Sequence, residues 1–399
     1  MSRIISTGLA IGTTTVRVVV SEYVKTDRGP LRRVLGTGFS ESSGLRHGYI
    51  VDPEQVTRSV SRALSQAQRA AHVNIQNVLL SVGGTGLESF TTTGSTSITR
   101  ADSEITDLDV TRAFTASQEM LPDIAQMNRK IIQTVPLSYK IDGKEALSRV
   151  VGMRGLKLEV KTLFITVLEQ HLSDLIEAVE SAGVEVREII AAPIASAVAT
   201  LTKAQRIAGV VLVDIGSETV SLIVYENDTP LSLKVFPRGG NDITNDIALG
   251  LRIPIEEAER VKTGTGMSVQ YPRKKIDEII TARLKDIFDL VQTHLKKMGR
   301  DGLLPAGVVL AGGGAQIASI VEIAKSSLAL PSRLGMIEVN STAHGQVYDP
   351  SWTVAYGLSI LGLSPDIATG AQISTLGQNL KMFKHTGSRL GELFKRFLP

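Results

Sequence analysis

The segment GLAIGTTTV at residues 8–16 and the segment LVDIGSETV at residues 212–220 share one pattern, about half a chain apart. In each, an apolar run meets a glycine that is followed by hydroxyl-bearing residues and a second apolar run. Because β-branched residues favour strands while glycine, serine and threonine favour turns, each segment predicts a strand, a tight turn and a second strand. A hairpin repeated at this spacing predicts an α/β fold built by duplication.

Composition limits the class of protein. The chain has 399 residues, 43% hydrophobic and 21% charged, which predicts about two to four globular domains with a sizeable core. A net charge of +3, with basic residues scattered among acidic ones, argues against nucleic acid as a partner. The chain has no cysteine, which excludes disulfides and thiolate chemistry and suits the cytoplasm. No signal peptide and no membrane-spanning run are expected.

The rest of the sequence predicts alternating helices and strands. Helices are expected at 53–71, 107–120, 172–182 (ended by Gly183 as a C-cap), 242–250, 255–262, 276–298 and 317–328, and strands at 77–82, 131–139, 163–167 and 307–311. The stretch at about 83–165 is rich in Thr, Ser and Gly at its start and is interpreted as an inserted α+β module.

The two predicted turns are candidates for phosphate binding. Successive backbone N–H groups in a turn form an anion-binding concavity, glycine admits the phosphate, and hydroxyl groups add donors. Asp214 ends its strand and is a candidate magnesium ligand, because magnesium favours one or two carboxylates with waters and phosphate oxygens. One such segment alone would favour an ordinary hairpin, but the matched pair favours a shared phosphate site. The candidates are Gly12, Thr13, Thr14 and Thr15 in the first turn and Gly216, Ser217, Glu218 and Thr219 in the second.

Two further groups are candidates for the same ligand. Gly312, Gly313 and Gly314 follow an apolar strand and precede a helix, which suits a phosphate or a purine face, although the third glycine of a dinucleotide fingerprint is absent. The alternative is a close-packing turn. Glu259 and Lys262 share one helical face and suit ribose hydroxyls, the alternative being a solvated ion pair. Neither a nucleophile triad nor metal-ligand spacing of histidines is present, so no catalytic residue is predicted.

The last residues form an amphipathic pattern. Leu390, Leu393, Phe394, Phe397 and Leu398 fall on one helical face, and Arg389, Lys395 and Arg396 flank it. Such a helix lies flat in a membrane interface with its basic residues on anionic lipid. Partial burial of these apolar side chains predicts reversible binding. Residues 364–386 lack apolar periodicity, hold Pro, Gly, Ser and Thr, and are interpreted as a linker. This linker disfavours the alternative, in which the helix docks on the core or on a partner.

These segments together resemble the FtsA family of bacterial cell-division proteins, within the actin and DnaK-type chaperone superfamily. Residues 9–13 and 214–219 resemble the two phosphate motifs of the family, and residues 309–315 its adenosine motif. Residues 239–244 and 258–262 resemble its nucleotide-side helices, which adds Gly240, and the adenosine motif is followed by Gln316. Residues 46–52 resemble a further Gly-x-Ile/Val-x-Asp/Asn segment.

The resemblance implies an actin-like duplicated fold of two ribonuclease-H-like halves, with an inserted α+β subdomain 1C and a C-terminal amphipathic helix. The implied boundaries are 1–82, 166–200 and 345–364 for subdomain 1A, 83–165 for 1C, 201–227 and 304–344 for 2A, 228–303 for 2B, 365–386 for a flexible linker and 387–399 for the membrane-targeting helix.

The resemblance also implies a function. The protein would bind ATP and magnesium between its halves, polymerise, and tether the FtsZ ring to the cytoplasmic face of the cell membrane at the division site. Its implied partners are the C-terminal tail of FtsZ, other copies of itself, anionic lipids and other division proteins. Two departures from the superfamily remove carboxylates: Ala10 replaces the Asp of the first phosphate motif, and Ala192-Pro193 lacks the Glu of the chaperone branch. Slow or absent ATP hydrolysis is therefore expected.

Two other functions fit the same fold. A PilM-like type IV pilus assembly protein has a similar insertion but lacks the C-terminal amphipathic helix, so the tail disfavours it. A phosphotransferase of the sugar-kinase branch needs a catalytic Asp in the cleft and a sugar pocket, and the sequence contains no such constellation.

Overall fold

A computed structural model describes residues 3–26, 29–146, 149–265, 271–337 and 349–363. The linker expected at 365–386 and the amphipathic helix expected at 387–399 lie outside the described residues. Within the described ranges, no helix combines the length and the apolarity that crossing a membrane requires.

The described elements alternate along most of the chain. The strands are β1 (Arg3–Ile11), β2 (Thr15–Thr26), β3 (Gly29–Glu41), β4 (Leu45–Arg46), β5 (Tyr49–Ile50), β6 (Asn77–Val82), β7 (Glu88–Ser97), β8 (Arg129–Ile141), β9 (Lys144–Ala146), β10 (Lys157–Leu168), β11 (Glu185–Ala191), β12 (Val210–Ile215), β13 (Val220–Glu226), β14 (Thr229–Phe236), β15 (Val308–Ala311) and β16 (Ser332–Leu334). The α-helices are α1 (Pro53–Ala71), α2 (Asp107–Glu119), α3 (Asp123–Gln126), α4 (Glu169–Glu180), α5 (Ala192–Thr200), α6 (Lys203–Ala208), α7 (Gly240–Leu251), α8 (Ile255–Thr263), α9 (Arg273–Lys297), α10 (Ile320–Leu328) and α11 (Thr353–Leu361). Short 3-10 turns are formed by Gly313–Gln316 and Pro350–Trp352.

The duplication predicted from the two hairpins is confirmed by sheet topology. The first half has the strand order β3-β2-β1-β6-β11, and the second half has the equivalent order β14-β13-β12-β15-β16. In both sheets the first three strands in sequence pair antiparallel to one another. The other two strands, β6 and β11 in the first half and β15 and β16 in the second, run parallel to the first strand of their sheet. The two halves are therefore copies of one five-stranded α/β unit.

The inserted module is a separate layer with its own core. Strands β7, β10, β8 and β9 form an antiparallel sheet, and α2 packs on it. Phe114 on α2 meets Tyr139 on β8 edge to face, with ring centroids 6.3 Å apart. A Cβ atom at Gly94 would lie 2.1 Å from the backbone nitrogen of Ser117, so the helix approaches β7 more closely than any side chain would permit. This packing confirms the predicted α+β insertion.

Most predicted elements are found within three residues of their expected ends. The helix predicted to begin at residue 317 begins instead at Ile320, because Ser319 adopts a left-handed conformation with φ of +61°. The strand predicted at 163–167 starts earlier, at Lys157, where the sheet of the insert alternates buried and exposed residues. The predicted C-cap was wrong, since α4 ends at Glu180 with Ser181 as its C-cap, and Gly183 closes the following turn.

Candidate functional site

A cleft of about 1310 Å³ lies between the two halves. The turns of the β1–β2 and β12–β13 hairpins line it, together with the start of α7, the end of α8, part of α9 and the glycine turn after β15. Because corresponding strands of two copies of one unit contribute to the cleft, a ligand bound there is contacted by the same structural element from both sides.

The two hairpin turns have the same geometry. The N–H group of Gly12 donates to the carbonyl of Thr15 at 2.9 Å, and the N–H group of Gly216 donates to the carbonyl of Thr219 at 2.9 Å. A Cβ atom would lie 3.1 Å from the acceptor oxygen at either glycine. Both turns are therefore tight, and both expose a glycine backbone to the cleft.

The second turn is held from behind by the start of α7. The N–H group of Gly240 donates to the carbonyl of Gly216 at 2.9 Å, and that of Asn241 donates to the carbonyl of Ser217 at 2.7 Å. A Cβ atom at Gly239 would lie 2.5 Å from the Ser217 oxygen, so this contact needs glycine. The start of α7 and the turn of the second hairpin are thus bonded together and form one wall of the cleft.

The glycine turn after β15 packs against the end of β12. Gly312 has φ of +83°, and a Cβ atom there would lie 2.4 Å from the Asp214 Oδ1 atom. A Cβ atom at Gly314 would lie 2.4 Å from Ile215 Cγ2, whereas one at Gly313 would meet no atom within 4 Å. Two of the three glycines are therefore required by packing, and Gly313 faces open space in the cleft.

Glu259 and Lys262 form a bonded cluster with Thr244 rather than a freely solvated pair. Lys262 Nζ lies 2.7 Å from Glu259 Oε2 and donates to Thr244 Oγ1 at 2.8 Å. Thr244 Oγ1 in turn donates to Glu259 Oε2 at 2.5 Å. The Lys262 side chain is only 10% exposed and also donates to the carbonyl of Gly240 at 3.2 Å. The cluster fixes a charged pair at the wall of the cleft.

Asp214 and Arg17 are oppositely charged groups that line the cleft from opposite halves. Burial raises the pKa of Asp214 to about 6, opposed by a hydrogen bond from Ser196 and by the charge of Arg17. Burial lowers the pKa of Arg17, opposed by the charges of Asp349 and Asp214. Asp214 is cross-strand from Ser221, and at the equivalent position of the first hairpin Ala10 is cross-strand from Arg17. Sequence reasoning missed Arg17, although its place opposite Ala10 follows from the predicted hairpin.

The predicted ligand-binding residues, with one exception, line this cleft. They are Gly12, Thr13, Thr14, Thr15, Asp214, Gly216, Ser217, Thr219, Gly240, Glu259, Lys262, Gly312, Gly313, Gly314 and Gln316. The exception is Glu218, whose carboxylate accepts a hydrogen bond from the backbone N–H of His47. Gln316 donates from Nε2 to Asp349 Oδ1 at 2.5 Å. Asn241, Tyr271 and Arg273 also line the cleft and were not predicted.

The acidic groups of the cleft fit a single-carboxylate metal site. Among the described residues, no group of three or more His, Asp or Glu side chains is arranged to hold a metal ion. Magnesium needs only one or two carboxylates when waters and phosphate oxygens complete its shell. Asp214 therefore fits magnesium as a lone protein carboxylate.

Comparisons with known proteins identify related sequences. Residues 211–357 match the family model described as Cell division protein FtsA, and residues 84–166 match the model of the SHS2 domain inserted in FtsA. The cell division protein FtsA of Pseudomonas aeruginosa is 30% identical over 93% of this chain and 92% of its own length.

Solved structures share the fold at low identity. The chain is similar to a protein of the PilM-PilN type IV pilus biogenesis complex, with a TM-score of 0.66 and 18% identity over 90% of this chain and 99% of the other. It is also similar to MreB5 of Spiroplasma citri bound to ADP, with a TM-score of 0.54 and 15% identity over 92% of this chain and 98% of the other. At these identities the likeness shows an actin-like fold, and the likeness to PilM goes no further than the fold.

Proposed function

The chain belongs to the FtsA family of cell-division proteins, and from this membership we propose that it binds ATP between its halves to control its assembly at the membrane. The single observation that carries the proposal is the pair of hairpin turns, closed by the same 2.9 Å hydrogen bond at Gly12 and at Gly216, on the two sides of one cleft. Two glycine turns rich in backbone and hydroxyl donors suit a polyphosphate held from both sides.

Each wall of the cleft has a part in this proposal. The polyphosphate lies between the turns at Gly12–Thr15 and Gly216–Thr219, and the adenine ring lies on the turn of Gly312–Gly314. The ribose hydroxyls lie near Glu259 and Lys262, whose charged groups are held in place by Thr244. The cleft volume of about 1310 Å³ is ample for one nucleotide. The related fold of MreB5 was solved with ADP, which supports a nucleotide ligand.

Magnesium is proposed to accompany the nucleotide near Asp214. A divalent ion bound there supplies positive charge to the phosphate oxygens. The raised pKa of Asp214, about 6, leaves its carboxylate ionised at neutral pH. Asp214 would hold the ion through its carboxylate or through a bound water, while the turn residues hold the phosphates.

We propose that the chain has the four subdomains that its resemblance to the FtsA family implies. Residues 1–82, 166–200 and 345–364 form 1A, residues 201–227 and 304–344 form 2A, and residues 228–303 form 2B. The insert at 83–165 forms 1C and is proposed to serve self-association and contact with other division proteins. Subdomain 2B is proposed to receive the C-terminal tail of FtsZ.

The tail at 387–399 is proposed to tether the protein to the cytoplasmic face of the cell membrane at the division site. Its apolar face and flanking basic residues suit anionic lipid. With FtsZ bound to 2B and copies of the chain joined as filaments, the tail would link the FtsZ ring to the membrane.

The nucleotide proposal is tested with a variant that fills the cleft without disturbing the fold. A Cβ atom at Gly313 meets nothing within 4 Å, so Gly313→Val adds bulk only to the space proposed for adenosine. We expect ATP affinity, measured by calorimetry with magnesium present, to fall by more than about tenfold. The control, Ala70→Val, adds two methyl groups on the exposed side of α1 and should bind as the parent does. If Gly313→Val and Ala70→Val bind ATP with equal affinity, ATP does not bind in the cleft as proposed.

The membrane proposal is tested by sedimentation with vesicles of anionic phospholipid. The full chain should sediment with them, and a chain ending at residue 386 should stay in the supernatant. A second variant, Phe394→Ser with Phe397→Ser, removes apolar area but keeps every basic residue of the tail. If this variant sediments like the full chain, the apolar face is not the anchor.

A further inference from the structure

We propose that Arg17 is a phosphate-binding residue of the cleft, and that its guanidinium group allows a nucleoside polyphosphate to bind without a divalent cation. This inference rests on the proposed function, because it concerns how the same cleft holds the same ligand. It assigns a role to a side chain that the hairpin motifs do not include.

The internal duplication places Arg17 at a position that corresponds to Ser221 of the second half. In the antiparallel hairpin of the second half, Asp214 is directly opposite Ser221. At the equivalent pair of the first half, Ala10 is directly opposite Arg17. Directly opposed residues of an antiparallel pair project from the same face of the sheet. The two copies therefore present different charges to one cleft, a carboxylate from the second half and a guanidinium from the first.

The Arg17 side chain is only partly hydrogen-bonded within the protein. Both Arg17 and Asp214 line the cleft, and each changes the pKa of the other by its charge. One guanidinium nitrogen of Arg17 donates to Thr15 Oγ1, in the turn proposed to hold phosphate. Among the described residues, the buried Nε atom of Arg17 has no hydrogen-bond partner. The guanidinium group is thus bonded to the turn through one nitrogen, keeps one buried donor without a partner, and belongs to a side chain that lines the cleft.

The guanidinium group of Arg17 lies between two aromatic rings of the protein. Its central carbon lies 5.7 Å from the centre of the Phe39 ring and 5.5 Å from that of Trp352. Cation–π contacts of this kind attract the guanidinium group to both rings and favour this position. Arginine is also weakly hydrated and presents a rigid fork of donors that matches phosphate, so transfer from water to phosphate costs it less than it would cost lysine.

Charge balance then explains why the metal becomes dispensable. Two carboxylates beside a polyphosphate repel it strongly, and a divalent ion is needed to bridge them. Here the first hairpin has no carboxylate at Ala10, and the Arg17 guanidinium offsets the Asp214 carboxylate from the other side of the cleft. Asp349, whose charge also acts on Arg17, accepts a hydrogen bond from Gln316, and Glu259 is paired with Lys262. The phosphate therefore meets no net negative protein charge at this pair, and the energetic need for a cation is reduced.

The experiment measures the ATP affinity of the full chain by calorimetry, with magnesium and with EDTA in place of magnesium. We expect the parent affinity to fall by less than about fivefold on chelation. We expect Arg17→Gln to weaken ATP binding in EDTA by about tenfold to a hundredfold, the usual effect of one charge-assisted hydrogen bond. The control, Arg58→Gln, changes an exposed arginine of α1 and should follow the parent in both buffers.

A second variant tests the role without relying on Arg17→Gln. Ala10→Asp combined with Arg17→Ser copies the Asp214–Ser221 pair into the first hairpin, and it should bind ATP with magnesium but lose more than about tenfold in EDTA. Arg17 has no such role if chelation weakens the parent by more than about fivefold, or if Arg17→Gln equals the parent in EDTA. If the parent binds ATP neither with magnesium nor in EDTA, the proposed function itself is overturned, and this inference with it.

Discussion

The carboxylate of Glu218, in the turn of the second hairpin, accepts a hydrogen bond from the backbone N–H of His47 in the first half. The His47 ring is also involved, since its Nδ1 atom lies 3.3 Å from the carbonyl oxygen of Glu218. His47 has φ of +50° and precedes Gly48, whose Cα approaches Gly84. The turn proposed to hold phosphate is therefore tied directly to the opposite half of the molecule.

Replacing Glu218 is expected to loosen this tie. In Glu218→Ala the His47 amide loses a charged acceptor, a contact of roughly 1.5–3 kcal/mol. Hydrogen–deuterium exchange of the segment 44–50 should become faster by about tenfold or more. The matched control is Glu177→Ala on the exposed side of α4, which should leave exchange in this segment unchanged. Equal exchange in the two variants would show that the contact does not hold the halves together.

The glycine turn after β15 offers two adjacent positions with opposite expectations. Gly312→Ala places a Cβ atom 2.4 Å from Asp214 Oδ1, which is a steric clash. It also puts a residue with a side chain at a φ of +83°, which strains the backbone. We expect it to lower the free energy of unfolding by about 1–3 kcal/mol.

Gly313→Ala is the control for that substitution, because its Cβ atom would meet nothing within 4 Å. We expect an effect below about 1 kcal/mol, measured for both variants by chemical denaturation. If Gly313→Ala were as destabilising as Gly312→Ala, the strain would not come from the Asp214 contact.

The hairpins and the glycine turn could be predicted because their chemistry is local. A strand, a glycine with hydroxyl residues and a second strand specify a tight turn at Gly12 and at Gly216 wherever they occur. The helix at Pro53–Ala71 was equally predictable, because Asp52 caps it, Pro53 starts it and its apolar face repeats at helical spacing.

The contacts that couple the halves could not be predicted in the same way. The Glu218–His47 bond joins residues 171 positions apart, and Gln316 meets Asp349 across 33 positions. Both depend on how the two halves pack against each other, which hydrophobic periodicity does not encode. Arg17 lies between these cases. Its position opposite Ala10 is local, but its charge interaction with Asp214 requires the two halves to face each other across the cleft.

Stability should depend on pH through Asp214 when no nucleotide is present. Its pKa is raised from 3.8 to about 6 in the folded protein, so the folded state favours the protonated carboxyl. Between about pH 4 and pH 6 the unfolded chain has lost this proton and the folded chain has kept it, so stability falls as pH rises. Asp214→Asn has no such proton to lose.

The test compares the free energies of unfolding of the parent and Asp214→Asn by urea denaturation across this range. The two should be similar near pH 4, and the variant should be the more stable by at most about 3 kcal/mol above pH 7. A variant that is less stable than the parent above pH 7 would show that the ionised carboxylate is favourably solvated or paired in the folded state.

ATP hydrolysis should be slow even if ATP binds well. Ala10 and Ala192-Pro193 line the cleft without carboxylates, and the carboxylate of Glu259 is already engaged by Lys262 and Thr244. Asp214 alone offers little to position a water and a metal together, so turnover below about 1 per second is expected. Phosphate release by the purified full chain with magnesium measures this, and Asp214→Asn serves as the control for contaminating ATPases. A rate above that value in the parent that disappears in Asp214→Asn would mean that one carboxylate suffices, and that the cleft is a working catalytic site.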